Sequence, residues 1–269
     1  MREFTDRTAP HQLAFEAFGF EMRICTNDAE LLPRIESMIP PHSRRRPRSS
    51  AQWRLGLLDE GDDWYSLYRD DGMCILDAPG REYALVTLDA LILRHVALEA
   101  PEFIFLHAGV VGEGDRAIVM PGRSFAGKST LVRSLVEAGA IYYSDEFALL
   151  DAAGRVHPYA KPLSYRPAGG GRPVDYPVES LGAVGDTPLP VGLVVDTIYR
   201  PGAEWDPQPL SRAAGALVLL EHAAPAQDRP EQTLRHITRA IAGAAILRGD
   251  RGEADDTAGQ LLDALRATA

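Results

Sequence analysis

Apolar and polar positions follow two periods along this chain, and the change from one to the other marks its organisation. Residues 51–88 offer strand-like alternation, for example Trp53, Leu55 and Leu57, then Trp64-Tyr65-Ser66-Leu67-Tyr68, and Tyr83–Leu88. That is the strand period, and strands are expected there. Asp28–Met38 has amphipathic spacing that predicts a helix closed by Pro40-Pro41. Residues 88–99 carry a second helical pattern. Between these, residues 40–50 (PPHSRRRPRSS) read as a solvated loop, with a landing strip for an acidic peptide as the sharper alternative.

The middle of the chain is more legible. Phe103–Val111 is a buried-strand run, Gly112–Asp115 a tight turn, and Arg116–Met120 a second strand that delivers the chain into Pro121-Gly122. Ser129–Ala138 has helical periodicity, with Leu131, Leu135 and Val136 on one face and Gly139 as its stop. Ala140–Ser144 is the next strand, ending on Asp145-Glu146, and Phe147–Asp151 continues extended. Residues 154–190 are rich in proline and glycine and predict a long active-site loop. Leu193–Tyr199 and Ala216–Leu220 are strand candidates; Arg229–Ala245 and Asp255–Ala267 are helix candidates. The expected division is 1–95, an N-terminal accessory and β-rich region, and 96–269, a catalytic core with C-terminal helices.

Composition narrows the function. A net charge of −10 argues against a nucleic-acid partner, which would require a basic surface. Cys25 and Cys74 offer neither a disulfide framework nor zinc-ligand spacing. No apolar run approaches the ~20 residues that span a bilayer. With no signal-peptide pattern at MREFTDRTAPHQ, the expectation is a cytoplasmic protein with no membrane partner. Of the 28 basic residues only Lys128 and Lys161 are lysines. A compact ammonium on a flexible stem is not interchangeable with a planar guanidinium at a tight phosphate site, so both lysines become functional candidates.

Lys128 stands in Gly122-Arg123-Ser124-Phe125-Ala126-Gly127-Lys128-Ser129, a full match to G-x-x-x-x-G-K-[ST]. Glycines let successive backbone N–H groups turn toward phosphate oxygens, and the following helix aims its positive end at the same anion. Thr130 extends the binding segment. The chemistry expected is ATP with Mg²⁺, Lys128 reaching the β- and γ-phosphates and the Ser129 hydroxyl ligating the metal. Asp145 and Glu146 follow Lys128 by 17 and 18 positions, room for one helix and one strand, which brings a carboxylate to the γ-phosphate. A GTPase reading requires N-K-x-D, and Asn27 is the chain's one asparagine.

His107 in FLHAG, the hairpin into PGRSFAGKST, and Tyr143-Ser144-Asp145-Glu146 together resemble the catalytic core of the bacterial HPr kinase/phosphorylase family. The tail LPVGLVVDTIYRPG…LSRAAGALVLLEHA is similar to HPr-kinase-related proteins, some of which accompany lasso-peptide biosynthesis. The resemblance covers about residues 103–165. It implies an α/β P-loop kinase core of the HPr kinase and PEP carboxykinase type, a mixed central sheet with flanking helices, and phosphoryl transfer to serine. By the same resemblance Asp145 is the expected catalytic base, His107 its orienting residue, and Glu146 a magnesium-side carboxylate where the family often has aspartate. Lys161 and Arg166 are candidates for neutralising charge in the transition state. The expected partner is a peptide or protein substrate, a ribosomal peptide precursor among them, with self-association left open. A small-molecule kinase, a non-catalytic nucleotide switch and a PEP-carboxykinase-like enzyme are the alternatives, and the order of Asp145 and Glu146 as base and metal ligand stays open.

Overall fold

The computed structural model describes residues 4–5, 7–47, 51, 53–123, 126–165 and 174–268. The chain divides into two compact units, Met1–Glu102 and Phe103–Ala269. In the first, β1 (His11–Ala17) and β2 (Phe20–Thr26) form a hairpin. Its turn residues Phe18 and Gly19 both have positive φ, 53° and 81°, a turn whose twist matches that of paired strands. Asp28 caps the short turn Ala29–Leu31 by accepting from the Glu30 amide at 2.8 Å, and α1 (Leu32–Ser37) follows. The strands β3 (Arg44–Arg45), β4 (Trp53–Gly61), β5 (Trp64–Tyr68) and β6 (Cys74–Pro79) complete a sheet of order β3-β1-β2-β4-β5-β6. Here β2 and β4 run parallel and the other neighbours antiparallel.

Two expectations for this unit change. Tyr83–Leu88 is not a strand but the start of α2 (Arg81–Glu99). The burial of Ala84, Leu85, Leu88, Ile92 and Val96 follows three- and four-residue spacing, so the local alternation loses to the longer helical stripe. The arginine run is only partly loop, because β3 pairs with β1. Its charge is also answered locally: Arg45 pairs with Glu36, and Arg46 with Glu16 and, at 3.3 Å, with Glu21. Arg48 lies outside the described residues.

The second unit opens with β7 (Ile104–Glu113) and β8 (Arg116–Pro121), a hairpin turning at Gly114-Asp115. Next come α3 (Lys128–Glu137), β9 (Ile141–Ser144) and β10 (Phe147–Leu150). The stretch expected as a long loop contains β11 (Arg155–His157) and a separate two-stranded sheet of β12 (Leu163–Tyr165) and β13 (Val174–Tyr176). The chain ends with β14 (Leu189–Tyr199), β15 (Gln208–Pro209), α4 (Arg212–Glu221), α5 (Pro230–Ala240), β16 (Ala245–Arg251) and α6 (Ala254–Arg266). The strand order is β11-β10-β7-β8-β14-β16-β15, with β9 also on β7 and β11 also on the start of β14. This is a mixed α/β architecture with mixed sheets and flanking helices.

Both faces of the large sheet are covered, which explains why its central strands read as continuous apolar runs. Along β8, Ala117 and Val119 join a core with Ala216 and Leu219 of α4 and Ile237 and Ala240 of α5. The intervening Ile118 and Met120 join a second core with Leu131 and Leu135 of α3 and Leu261 and Leu265 of α6. Ala216–Leu220, expected as a strand, is therefore part of α4. A five-residue apolar run does not reveal its period, and the deciding feature is Ser211, whose Oγ accepts from the Ala214 amide at 3.2 Å as an N-cap. The helix expected over 229–245 stops at Ala240, and β16, which the pattern did not suggest, runs parallel to β14. Because β8, β14 and β16 are parallel, Pro121, Tyr199 and Arg251 share one sheet edge, the kind of edge where open α/β sheets bind ligands. Among the described residues no helix is long and apolar enough to cross a membrane.

Two glycines test how tightly this unit is assembled. Gly154 (φ +81°) would place a Cβ 2.5 Å from the Ala240 amide nitrogen, whereas Gly139 (φ +105°) faces open space. Gly154→Ala should cost roughly 2–4 kcal/mol from strain plus overpacking, and Gly139→Ala about 1–2 kcal/mol from strain alone. Urea denaturation checks both; equal losses would contradict the packing described.

Candidate functional site

The site forms where three segments meet the middle of β7. His107 accepts the Gly122 amide through its carbonyl at 3.2 Å and donates its own amide to the His222 carbonyl at 2.8 Å. The neighbouring Ala108 amide donates to the Glu146 carbonyl at 3.1 Å. One stretch of strand thus fixes the start of the glycine-rich segment, the acidic turn and the end of α4. The acidic turn itself is shaped by Ser144, whose buried Oγ accepts from the amides of Glu146 (3.1 Å) and Phe147 (3.0 Å). That local bond turns the chain sharply between β9 and β10.

Gly127 precedes α3 in the left-handed conformation (φ 82°, ψ 19°), and no side chain caps the helix. The first amides of α3, at Lys128, Ser129 and Thr130, therefore have no carbonyl one turn earlier in the helix to receive them. Lys128 folds back over the segment: its Nζ donates to the carbonyls of Gly122 (2.9 Å) and Arg123 (3.0 Å) and lies 3.3 Å from His107 Nε2. Ser129 Oγ donates to Asp145 Oδ2 at 2.7 Å. Tyr142 OH stands 3.1 Å from Asp145 Oδ1 and 2.9 Å from the Lys161 carbonyl. Lys161 Nζ is 3.9 Å from Glu146 Oε2. Ala126 donates its amide to the Arg123 carbonyl at 3.2 Å, and Ser124, Phe125 and Arg166 lie outside the described residues.

Burial sets the protonation of these groups. It pulls Lys128 down to about 8, against the opposing pull of Asp145 and Glu146. It pushes the Asp145 carboxyl above its ordinary range, while Ser129, Tyr142 and Lys128 hold it back. Burial, with Lys128 and His222 adding to it, lowers His107 to about 4. At neutral pH the imidazole is therefore neutral and accepts from the Lys128 ammonium.

The geometry thus brings Lys128, Ser129, Asp145 and His107 together, and sets Glu146 beside Lys161. His107 meets Lys128, and Asp145 meets Ser129. Three contributors went unread in the sequence. Tyr142 carried only its place three residues before Asp145. His222 reaches the site by backbone, which no side-chain motif records. Arg251, whose Nη2 donates to the Gly127 carbonyl at 3.0 Å, comes from 124 positions away on a strand that the pattern missed.

The oxygen set fits magnesium. Ser129 Oγ and Asp145 Oδ2 lie 2.7 Å apart, and Mg²⁺ prefers one or two protein oxygens completed by water and phosphate over a closed protein cage. Among the described residues no cluster of three His, Cys, Asp or Glu side chains offers such a cage.

His107 gives the site a measurable acid sensitivity. Its folded value of about 4 lies below the ordinary 6.5, so between those values the unfolded chain binds more protons. The resulting stabilisation is complete above about 6.5 and is lost as pH falls toward 4. In His107→Asn the fall in urea midpoint between pH 7 and pH 5 should be smaller than in the wild type; an identical fall would contradict the burial of a neutral imidazole.

Compared with described protein families and with curated proteins, the sequence matches none. Among solved structures the chain is similar to the HPr(Ser) kinase/phosphatase from Coxiella burnetii, at 14% identity, covering 61% of this chain and 96% of that one with a TM-score of 0.33. So loose an overlay carries no argument about activity, and the chemistry of this chain has to be read from its own residues.

Proposed function

We propose that this chain is a magnesium-dependent kinase that takes the γ-phosphoryl of ATP to a serine-type hydroxyl. The observation that carries the reading is the Ser129–Asp145 contact of 2.7 Å, beside the uncapped start of α3 and the Lys128 ammonium. It unites an anion cradle, a point charge and a hard-oxygen pair in one place. Amides of Gly127–Thr130 would receive phosphate oxygens, with Arg123–Ala126 completing the loop. Lys128 exchanges its two loop carbonyls for phosphate oxygens, and His107 keeps hold of it from the side. When bound, Mg²⁺ supplies charge neutralisation across the phosphates.

The contacts favour one order of the acidic pair. Asp145 is half-buried and committed to Ser129 and Tyr142, the surroundings of a metal-side carboxylate. Glu146, its side chain 35% exposed, faces Lys161, so we assign it the acceptor's proton, with Lys161 neutralising developing charge. This reverses the roles that the family resemblance suggested. A peptide acceptor is supported by that resemblance. A small-molecule acceptor gains support from the ion pairs of Arg45 and Arg46, which leave less charge for an acidic peptide.

Incubation with γ-labelled ATP, Mg²⁺ and an extract of the source organism identifies the acceptor, with Lys128→Arg as the inactive control. Glu146→Gln should lower transfer by on the order of 10²–10⁴ with MgATP affinity nearly kept. Asp145→Asn should instead weaken MgATP binding. If Asp145→Asn binds MgATP normally and loses only transfer, Asp145 is the base and the assignment is reversed.

A further inference from the structure

Beneath the loop lies a buried guanidinium that the proposed mechanism has not used. Arg251 ends β16 and is 2% exposed. Its Nη2 donates to the Gly127 carbonyl at 3.0 Å and its Nη1 to the Gly252 carbonyl at 2.9 Å. The group sits over the Tyr199 ring, 5.3 Å from its centroid, and Tyr199 OH donates to Glu253 at 2.7 Å. Neither hydrogen bond of the guanidinium reaches a carboxylate, and Glu253 acts on it through its charge rather than by a direct bond. A small hollow lies beside this contact, lined by Met120, Ala126, Gly127, Leu131, Thr197 and Arg251 itself. Two polar atoms of its lining, Arg251 Nε and Thr197 Oγ1, are buried with no hydrogen-bond partner among the described residues.

The Gly127 carbonyl is held twice, by Arg251 and by the Leu131 amide at 3.1 Å. In a trans peptide the N–H points opposite to the preceding C=O. Fixing the Gly127 oxygen inward therefore aims the Lys128 amide outward, beyond the start of α3, where an anion would lie. The same arginine constrains the residue: a Cβ on Gly127 would stand 2.5 Å from Nη2. A buried cation bonded only to neutral carbonyls is costly, and here the charge of Glu253 offsets part of that cost while burial still prevails. A phosphate bound in the cradle would add a further anion one peptide away.

We propose that Arg251 is a positioning residue of the triphosphate site, orienting the Gly127–Lys128 peptide and adding its charge to the hold on the β- and γ-phosphates. The proposal rests on the nucleotide reading above. Its consequence is graded by ligand charge, which a purely structural arginine would not produce.

Calorimetric titration of the full chain with MgATP, MgADP and inorganic triphosphate, below the unfolding temperature, tests it. Arg251→Gln should weaken MgATP and triphosphate by about tenfold or more, and MgADP by less. Steady-state kinetics should show the loss in KM for ATP with kcat kept. Arg251→Lys should fall between, since it keeps a cation and loses the two-carbonyl fork. If Arg251→Gln does not fold, Arg251→Lys decides: affinity within about twofold of wild type overturns the proposal. So does an equal loss for MgATP and MgADP. A wild type that binds none of the three probes overturns the nucleotide reading itself, and one that binds them alongside an unaffected Arg251→Gln overturns only the role of Arg251.

Discussion

The hydrogen bond from Ser129 to Asp145 ties the first turn of α3 to the turn that follows β9, and the rest of the site is arranged around it. α3 is held on its sheet by Leu131 and Leu135 in one of the two cores. The acidic turn is held by Ser144 and by the Glu146 carbonyl on β7. Each anchor alone leaves its side chain free to rotate. Together they bring a hydroxyl and a half-buried carboxylate to 2.7 Å, a spacing that one small cation can replace by coordinating both.

Burial then explains the unusual electrostatics. Asp145, Lys128 and His107 are all pushed toward their neutral forms by desolvation, and each is restrained or assisted by its neighbours. Such surroundings make any charge that enters, or develops, count for more than it would in water. Under the proposed kinase reading, catalysis would come mainly from positioning and charge neutralisation.

Much of this site was legible because its signals are local. The glycine-lysine-serine spacing, the hairpin that delivers it and the acidic pair one strand later all lie within residues 103–146, where neighbours in sequence stay neighbours in space. Legibility failed where contact depends on the sheet. Arg251 meets Gly127 across 124 positions, and β16 has too few apolar residues to display a period. Its last residues are polar because they end at the sheet edge beside the loop. Short apolar runs misled in the other direction: Tyr83–Leu88 and Ala216–Leu220 read as strands until a longer burial stripe and a serine cap settled them as helix. The stretch 154–190 was obscured by proline and glycine, which mark turns without showing what they connect.

The central claim is that Ser129 and Asp145 act on one magnesium ion beside a bound triphosphate. The most direct measurement is a double-mutant cycle of Ser129→Ala and Asp145→Asn on the affinity for ATP at saturating and at zero Mg²⁺. The account predicts that the two losses overlap with Mg²⁺ present, so that the double variant is little worse than the poorer single one, and that neither loss appears without the metal. Additive losses that persist in the absence of Mg²⁺ would contradict it.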